Sequence, residues 1–206
     1  PDYLDSQLLT SISGRPCRNL DLVLSGSSWV RDSFSKFGSK CEISLVEGVM
    51  GLFDGLGYTQ KGSTAEVASQ LNLPIVLIVN ARSQAASLAA LVKGFRDHNA
   101  HLKLAGVVLN QVNTTRHRNL LKEVLNSIDV KTLGALPNNP KLAIPSRYLG
   151  LIPAHEISDL KKRMEQWSQI AEQHLDLEAF QKLLKAPVAK YNETREETTN
   201  RTIKSH

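Results

Sequence analysis

Cysteine is scarce in this chain. Cys17 and Cys41 are the only two among 206 residues, and neither lies in a C-x-x-C motif or a Cys/His cluster. That spacing gives a disulfide scaffold or a structural zinc almost no support, and both thiols read as structural fillers. Long apolar runs are missing too: none approaches the roughly 20 residues that cross a bilayer. The first residues, Pro1-Asp2-Tyr3, have neither the basic start nor the apolar centre of a signal peptide, so a cytoplasmic protein without membrane contact is expected. The six histidines show no H-x-x-x-H spacing, and His117, alone on a helical segment, reads as a surface residue. No Ser/His/Asp or Cys/His constellation can be assembled. The net charge of +5 is spread along the chain and interleaved with acids, which does not call for nucleic acid as a partner.

What is there is an ordinary globular composition, 41% apolar and 22% charged, enough for one good core. Residues 1–186 read as one domain. Residues 187–206 are polar with almost nothing to bury, and read as a linker or disordered tail. Leu4, Leu8, Leu9 and Ile12 have helical spacing up to Gly14, and a second helix holding Trp29, Val30 and Phe34 ends near Gly38. Cys41 to Val46 reads as a buried strand. Ser63-Thr64-Ala65-Glu66 has capping-box spacing, and a helix through about Leu71 should follow.

Pro74 to Val79 is a continuous β-branched and leucine run of the kind a central parallel strand requires. Beyond it come a helix over Ser83 to His98, a strand over Leu104 to Val112, a helix over Thr114 to Ile128 and a strand over Lys131 to Leu136. Such alternation with short links predicts an α/β fold with a doubly wound, mostly parallel sheet and helices on both faces. The proline-rich segment from Pro137 to Pro153, which includes Arg147, is loop-like, and Ala154 to Lys185 is helical, with Met164 and Trp167 as core.

Chemistry concentrates in Leu45-Val46-Glu47-Gly48-Val49-Met50-Gly51-Leu52-Phe53-Asp54-Gly55. A buried strand delivering Glu47 to a glycine-rich loop is how open α/β sheets build phosphate and metal sites. Glu47 is then either a metal ligand, with magnesium the natural cation, or an acid satisfied by backbone amides. Asp54, among Gly51, Gly55 and Gly57, is a turn former or a catalytic group. Asp2 and Asp5 could share a helix face or cap its start. Asn110, at a strand end, could read a purine edge or simply cap the strand.

Several motifs occur together and in order: Pro1-Asp2-Tyr3-Leu4-Asp5, Gly14-Arg15-Pro16, Val46 to Gly55, Gly62 to Glu66, Gly106 to Asn110, Leu133 to Pro137, and Pro145-Ser146-Arg147 with Leu149-Gly150-Leu151. Over about residues 1 to 175 the chain resembles the synthetase domain of the cobyrinic acid a,c-diamide synthase family, within the dethiobiotin-synthetase-like P-loop ATPases. The resemblance implies a ligase of cobalamin biosynthesis. ATP phosphorylates a corrin carboxylate, and ammonia from glutamine displaces phosphate to leave a carboxamide. It further implies that Glu47 binds Mg2+, that Asp54 acts in the phosphoryl-transfer centre, and that Asp2, Tyr3, Leu4 and Asp5 line the corrin side. Asn110 would contact the nucleotide. Cobyrinic acid and ATP are the implied small-molecule partners, with a glutaminase domain fused at the C-terminus and a homodimer as an open alternative.

The chain departs from this pattern. Nothing in it matches G-x-x-x-x-G-K-[ST], and no glutaminase segment follows. The expectation is an internal piece of a longer enzyme, inactive alone and a poor binder of ATP. Ser6, Asn80, Gln111, Asn138 and Tyr148 stand where the family usually has other residues. Rival readings are a cobyric acid synthase, an a,c-diamide synthase acting on a nickel tetrapyrrole, a partition-type ATPase, and a non-catalytic tetrapyrrole-binding remnant.

Overall fold

The computed structural model describes residues 4–140, 143–144, 146–147, 150–151 and 153–184; the expected tail and Asp2 and Tyr3 lie outside them. The chain divides into two compact units. One takes residues up to Asn19 and from Leu71 to Leu184, the other Leu20–Gln70.

The first unit is built on three parallel strands, β1 (Pro74–Asn80), β2 (Lys103–Asn110) and β3 (Thr132–Leu136), in the order β1-β2-β3. Helix α4 (Ser87–Asp97) joins the first pair and α5 (Thr115–Asn126) the second. Right-handed crossovers between sequential neighbours put both helices on one sheet face, and α4 and α5 do touch. Their inward stripes, Leu88 and Val92 on α4 and Leu121 and Leu125 on α5, are fully buried, each contributing about 1.5–3 kcal/mol of apolar burial.

Behind β3 the chain forms α6 (Leu160–His174) and α7 (Leu177–Leu183). Their junction closes the outer edge of β3: Leu175 bridges Gly134, and the Asp176 amide donates to the Leu133 carbonyl at 2.8 Å. Ala179, Phe180 and Leu183 then pack with Val76, Val108 and Leu133. Gly134 is required here, since a Cβ would meet the His174 carbonyl at 2.7 Å and the Leu175 Cα at 3.0 Å. Among the described residues, helices therefore surround a parallel α/β sheet.

Helix α1 (Leu4–Ser13) packs Leu8 and Ile12 onto Ala154, which opens a 3-10 turn (Ala154–Glu156), and onto Ile157, which follows it. Gly14, at φ +65°, ends it in the left-handed conformation glycine tolerates. Ser146–Arg147 and Gly150–Leu151 form a two-residue antiparallel pair, β4 and β5, where a plain loop was expected. Met164 and Trp167 are half-buried rather than core, and α6 buries no residue fully.

The second unit holds α2 (Gly26–Gly38) and α3 (Thr64–Gln70) with the glycine-rich loop between them. Val30, Ala65, Val67 and Ala68 are its buried apolar residues, with Leu22. The strand expected over Cys41 to Val46 is not formed. Residues 43–49 carry no regular structure, Ile43 is 57% exposed and Leu45 93%. An apolar run becomes a strand only where a neighbour offers a ladder for its amides and carbonyls, and no described residue pairs with this one.

Two further expectations shift. Strand β1 is an edge strand of the described sheet, and Ile78 is 67% exposed; the central position belongs to β2, whose Val107, Val108 and Leu109 are all buried. Helix α4 starts at Ser87 rather than Ser83, because Ser83 sits at φ +56°, outside helical space. Among the described residues no helix is long and apolar enough to cross a membrane.

Candidate functional site

The glycine-rich loop of the second unit is organised by the start of α3. Ser63 is the N-cap: its Oγ accepts the Glu66 amide at 3.2 Å, and the Glu66 carboxylate accepts the Gly62 amide at 2.5 Å. The reciprocal arm of the capping box thus reaches one residue further out than the usual pattern. The next orphan donor, the amide of Ala65, is met by the Leu52 carbonyl at 2.9 Å, which ties the loop to the helix start. Gly48 lies where a Cβ would come within 2.5 Å of Thr64 Cγ2.

The loop's glycines serve this packing. At Gly51 a Cβ would collide with the Asp54 carboxylate, and at Gly55 it would meet the Lys61 and Thr59 carbonyls at 2.5 and 2.7 Å. The close approaches expected for a ligand are made to the loop's own backbone and side chains. The left-handed position falls on Met50, at φ +69°, and not on a glycine of the loop's core, a conformation that costs about 1–2 kcal/mol in an L-residue.

Glu47 is not at the end of a strand and is not buried, so no desolvation cost demands a cation there. It is exposed and, among the described residues, takes part in no hydrogen bond or ion pair. Asp54 is exposed as well, and it is a turn former. Its amide donates to the Gly51 carbonyl at 3.0 Å, and its Oδ2 accepts the Gly51 amide at 2.9 Å. Oδ1 makes no hydrogen bond among the described residues. The two acids supply hard oxygen donors without forming a cage, and no group of three metal-binding side chains occurs among the described residues. Either carboxylate, as a single hard oxygen donor, suits magnesium whose shell substrate phosphates and water complete.

The first unit presents a different polar edge, at the carboxyl ends of its parallel strands, where open α/β sheets place ligands. Asn110 ends β2, half-buried. Its carbonyl accepts the Ala81 amide at 2.9 Å, and its Oδ1 accepts the Gln111 amide at 2.9 Å. That second bond stabilises the turn in which Gln111 sits at φ +64°, and it leaves the Asn110 Nδ2 donor without a hydrogen-bond partner among the described residues. Asn80, beside it in register, caps the β1 turn by accepting the Arg82 amide at 3.1 Å. The Asn138 amide donates to Asn113 Oδ1 at 2.8 Å, joining the loops after β2 and β3.

His117 was expected at the surface. It is half-buried, at the third position of α5 after the Thr114 cap, and its Nε2 lies 2.7 Å from the Gln84 carbonyl. A carbonyl only accepts, so Nε2 carries the proton in this contact. The contact joins α5 to the loop after β1.

Leu4 and Asp5 open α1, both half-buried, and are anchored through Leu8 and Ile12 against the Ala154 turn. No described contact links them with Asn110.

A protein-family model described as an AAA domain, AAA_26, matches residues 24–146. The chain belongs to that family. Among curated relatives, the AAA_26 chain is 41% identical over 185 residues to a cobyrinate a,c-diamide synthase of Synechococcus sp., covering 89% of this chain and 41% of that protein. It is 37% identical over 188 residues to the Caldanaerobacter subterraneus subsp. tengcongensis protein of the same name, covering 91% and 42%. The figures for the Limosilactobacillus reuteri protein, also of that name, are 38%, 187 residues, 89% and 40%. The chain thus spans about two fifths of the length of these relatives. No solved structure matches it.

Proposed function

We propose that this chain is the synthetase portion of an enzyme that amidates the a and c carboxylates of cobyrinic acid in cobalamin biosynthesis, using ATP and glutamine-derived ammonia. The similarity along nine tenths of the chain to proteins named for that activity is the observation that carries the reading. The chemistry is coherent. A carboxylate is a poor acyl donor to ammonia, and transfer of the γ-phosphoryl of ATP to its oxygen makes a mixed anhydride. Ammonia then attacks the acyl carbon, and phosphate leaves.

In this reading Glu47 holds a magnesium ion, which would supply charge neutralisation at the transferring phosphoryl group, and Asp54 acts in the phosphoryl-transfer centre. The loop contributes orientation: the Asp54–Gly51 turn and the Leu52–Ala65 hydrogen bond hold Asp54 on backbone that is anchored to α3. Asn110 contacts the base of ATP. Asp2, Tyr3, Leu4 and Asp5 line the corrin side and bias which carboxylate is presented. A glutaminase domain delivers ammonia in the complete enzyme.

The test is ATP- and glutamine-dependent turnover of cobyrinic acid by the chain joined to the remaining regions its relatives possess. Formation of the a,c-diamide, with Glu47→Gln and Asp54→Asn each lowering turnover by about a hundredfold or more, is the expected result. Parental turnover in both variants refutes the assigned roles, and amidation of a nickel tetrapyrrole alone refutes the cobalt substrate.

A further inference from the structure

Three loops leave the carboxyl edge of the first unit's sheet: 81–86 after β1, 111–114 after β2 and 137–140 after β3. Two backbone bonds hold their roots, from the Ala81 amide to the Asn110 carbonyl and from the Val112 amide to the Leu136 carbonyl, both at 2.9 Å. Further out, side chains join them. Asn113 Oδ1 accepts the Asn138 amide at 2.8 Å between the second and third loops, and His117 Nε2 donates to the Gln84 carbonyl at 2.7 Å between α5 and the first. Gln84 in turn donates through Nε2 to the Asn80 carbonyl at 3.0 Å. The chain of bonds runs from α5 through His117 and Gln84 to the last residue of β1, which stands in register beside Asn110.

We propose that His117 is a positioning residue for the nucleotide-base subsite at Asn110, acting through Gln84 and the loop after Asn80. This rests on the reading of Asn110 as the base contact. Nothing in the helix itself requires the interaction. Thr114 already caps α5 through the His117 amide at 3.2 Å, and the fully buried Leu121 and Leu125 anchor the helix to the core. The imidazole is therefore free of a helix-forming task, and its bond ties the outer part of the first loop, at Gln84, to α5. The loop's other hydrogen bonds run to its own residues, to the start of α4 and to the strand ends at Asn80 and Asn110, and its outer residues Arg82, Ser83, Ala85 and Ala86 are exposed. A purine docking against Asn110 must find this loop in place, or spend binding energy ordering it.

The experiment uses the 206-residue chain and adenosine, which needs no phosphate-binding groups. Binding is followed by NMR titration, with His117→Ala, His117→Gln and Asn110→Ala compared at equal thermal stability checked by melting. The expected result is weaker adenosine binding by about three- to tenfold in His117→Ala, one hydrogen bond's worth, with binding restored in His117→Gln, whose Nε2 can donate from the same place. Resonances of residues 81–86 should broaden in the alanine variant and sharpen in the glutamine one. Unchanged affinity in His117→Ala while Asn110→Ala is weakened overturns the positioning role alone. Unchanged affinity in Asn110→Ala, or no adenosine binding by the parent chain, overturns the base-contact reading and this inference with it.

Discussion

At the scale of single residues, the glycine-rich loop is a lesson in what glycine is for. Gly48, Gly51 and Gly55 occupy ordinary φ regions but have no room for a methyl group, because Thr64, Asp54 and the 59–61 backbone stand against them. Gly55 meets fixed carbonyls and not a side chain that could turn away. Gly55→Ala should therefore destabilise the second unit by more than about 1 kcal/mol, with overpacking as the cause, as read from the urea midpoint. Ser63→Ala should cost about 1 kcal/mol by freeing the Glu66 amide, and Ser63→Asp should recover most of it. The sequence made the cap legible, since S-x-x-E leads an apolar segment. It could not show that Asp54 would spend one oxygen on Gly51, because that depends on a turn closing between residues three apart.

At the scale of elements, periodicity located α1, α4, α5 and the three parallel strands to within a few residues, since burial of a stripe or a face imposes the 3.6 or 2.0 repeat, while it missed β4 and β5 and merged α6 and α7 into one helix. The misplacements have local causes. Ser83 and Gln111, both with positive φ, cut α4 and β2 short of the apolar pattern. Composition also could not tell an edge strand from a central one: Pro74 to Val79 is as apolar as a buried strand, yet Ile78 is exposed in β1. The α4–α5 face gives a direct check. Leu125→Ala removes a fully buried side chain and should lower stability by about 2–5 kcal/mol, whereas Leu120→Ala, on the exposed side of the same helix, should fall within about 0.5 kcal/mol of the parent. Equal losses in thermal or urea unfolding would refute the orientation assigned to α5.

At the scale of the whole molecule, three carboxylates make stability sensitive to acid. Asp97 is held below its ordinary range chiefly by the Arg96 guanidinium, 2.7 Å away, and Asp159 by Arg163 at 2.8 Å. Asp21 is lowered first by the Leu24 amide and also by the Val23 amide, each donating at 2.8 Å. A carboxylate whose folded pKa is depressed binds fewer protons folded than unfolded near its titration. Its contribution is complete above the ordinary value of about 4 and is lost as pH falls through the lower folded value. The urea midpoint should hold steady between about pH 5 and 7 and fall below about pH 4. Asp97→Asn combined with Asp159→Asn should flatten that fall. For this protein, residue order alone settled the α/β class, the short polar turns and the glycine loop as a place of interest, because periodicity, caps and close-packing glycines are written locally. The tertiary structure decided the rest. Cys41 to Val46 has strand composition but no ladder partner among the described residues, so Glu47 stands exposed, and His117 reaches Gln84 only because a parallel sheet brings residues 33 apart in sequence to one edge. Hydrogen-bond partners of that kind are set by which strands lie side by side, which no local pattern encodes.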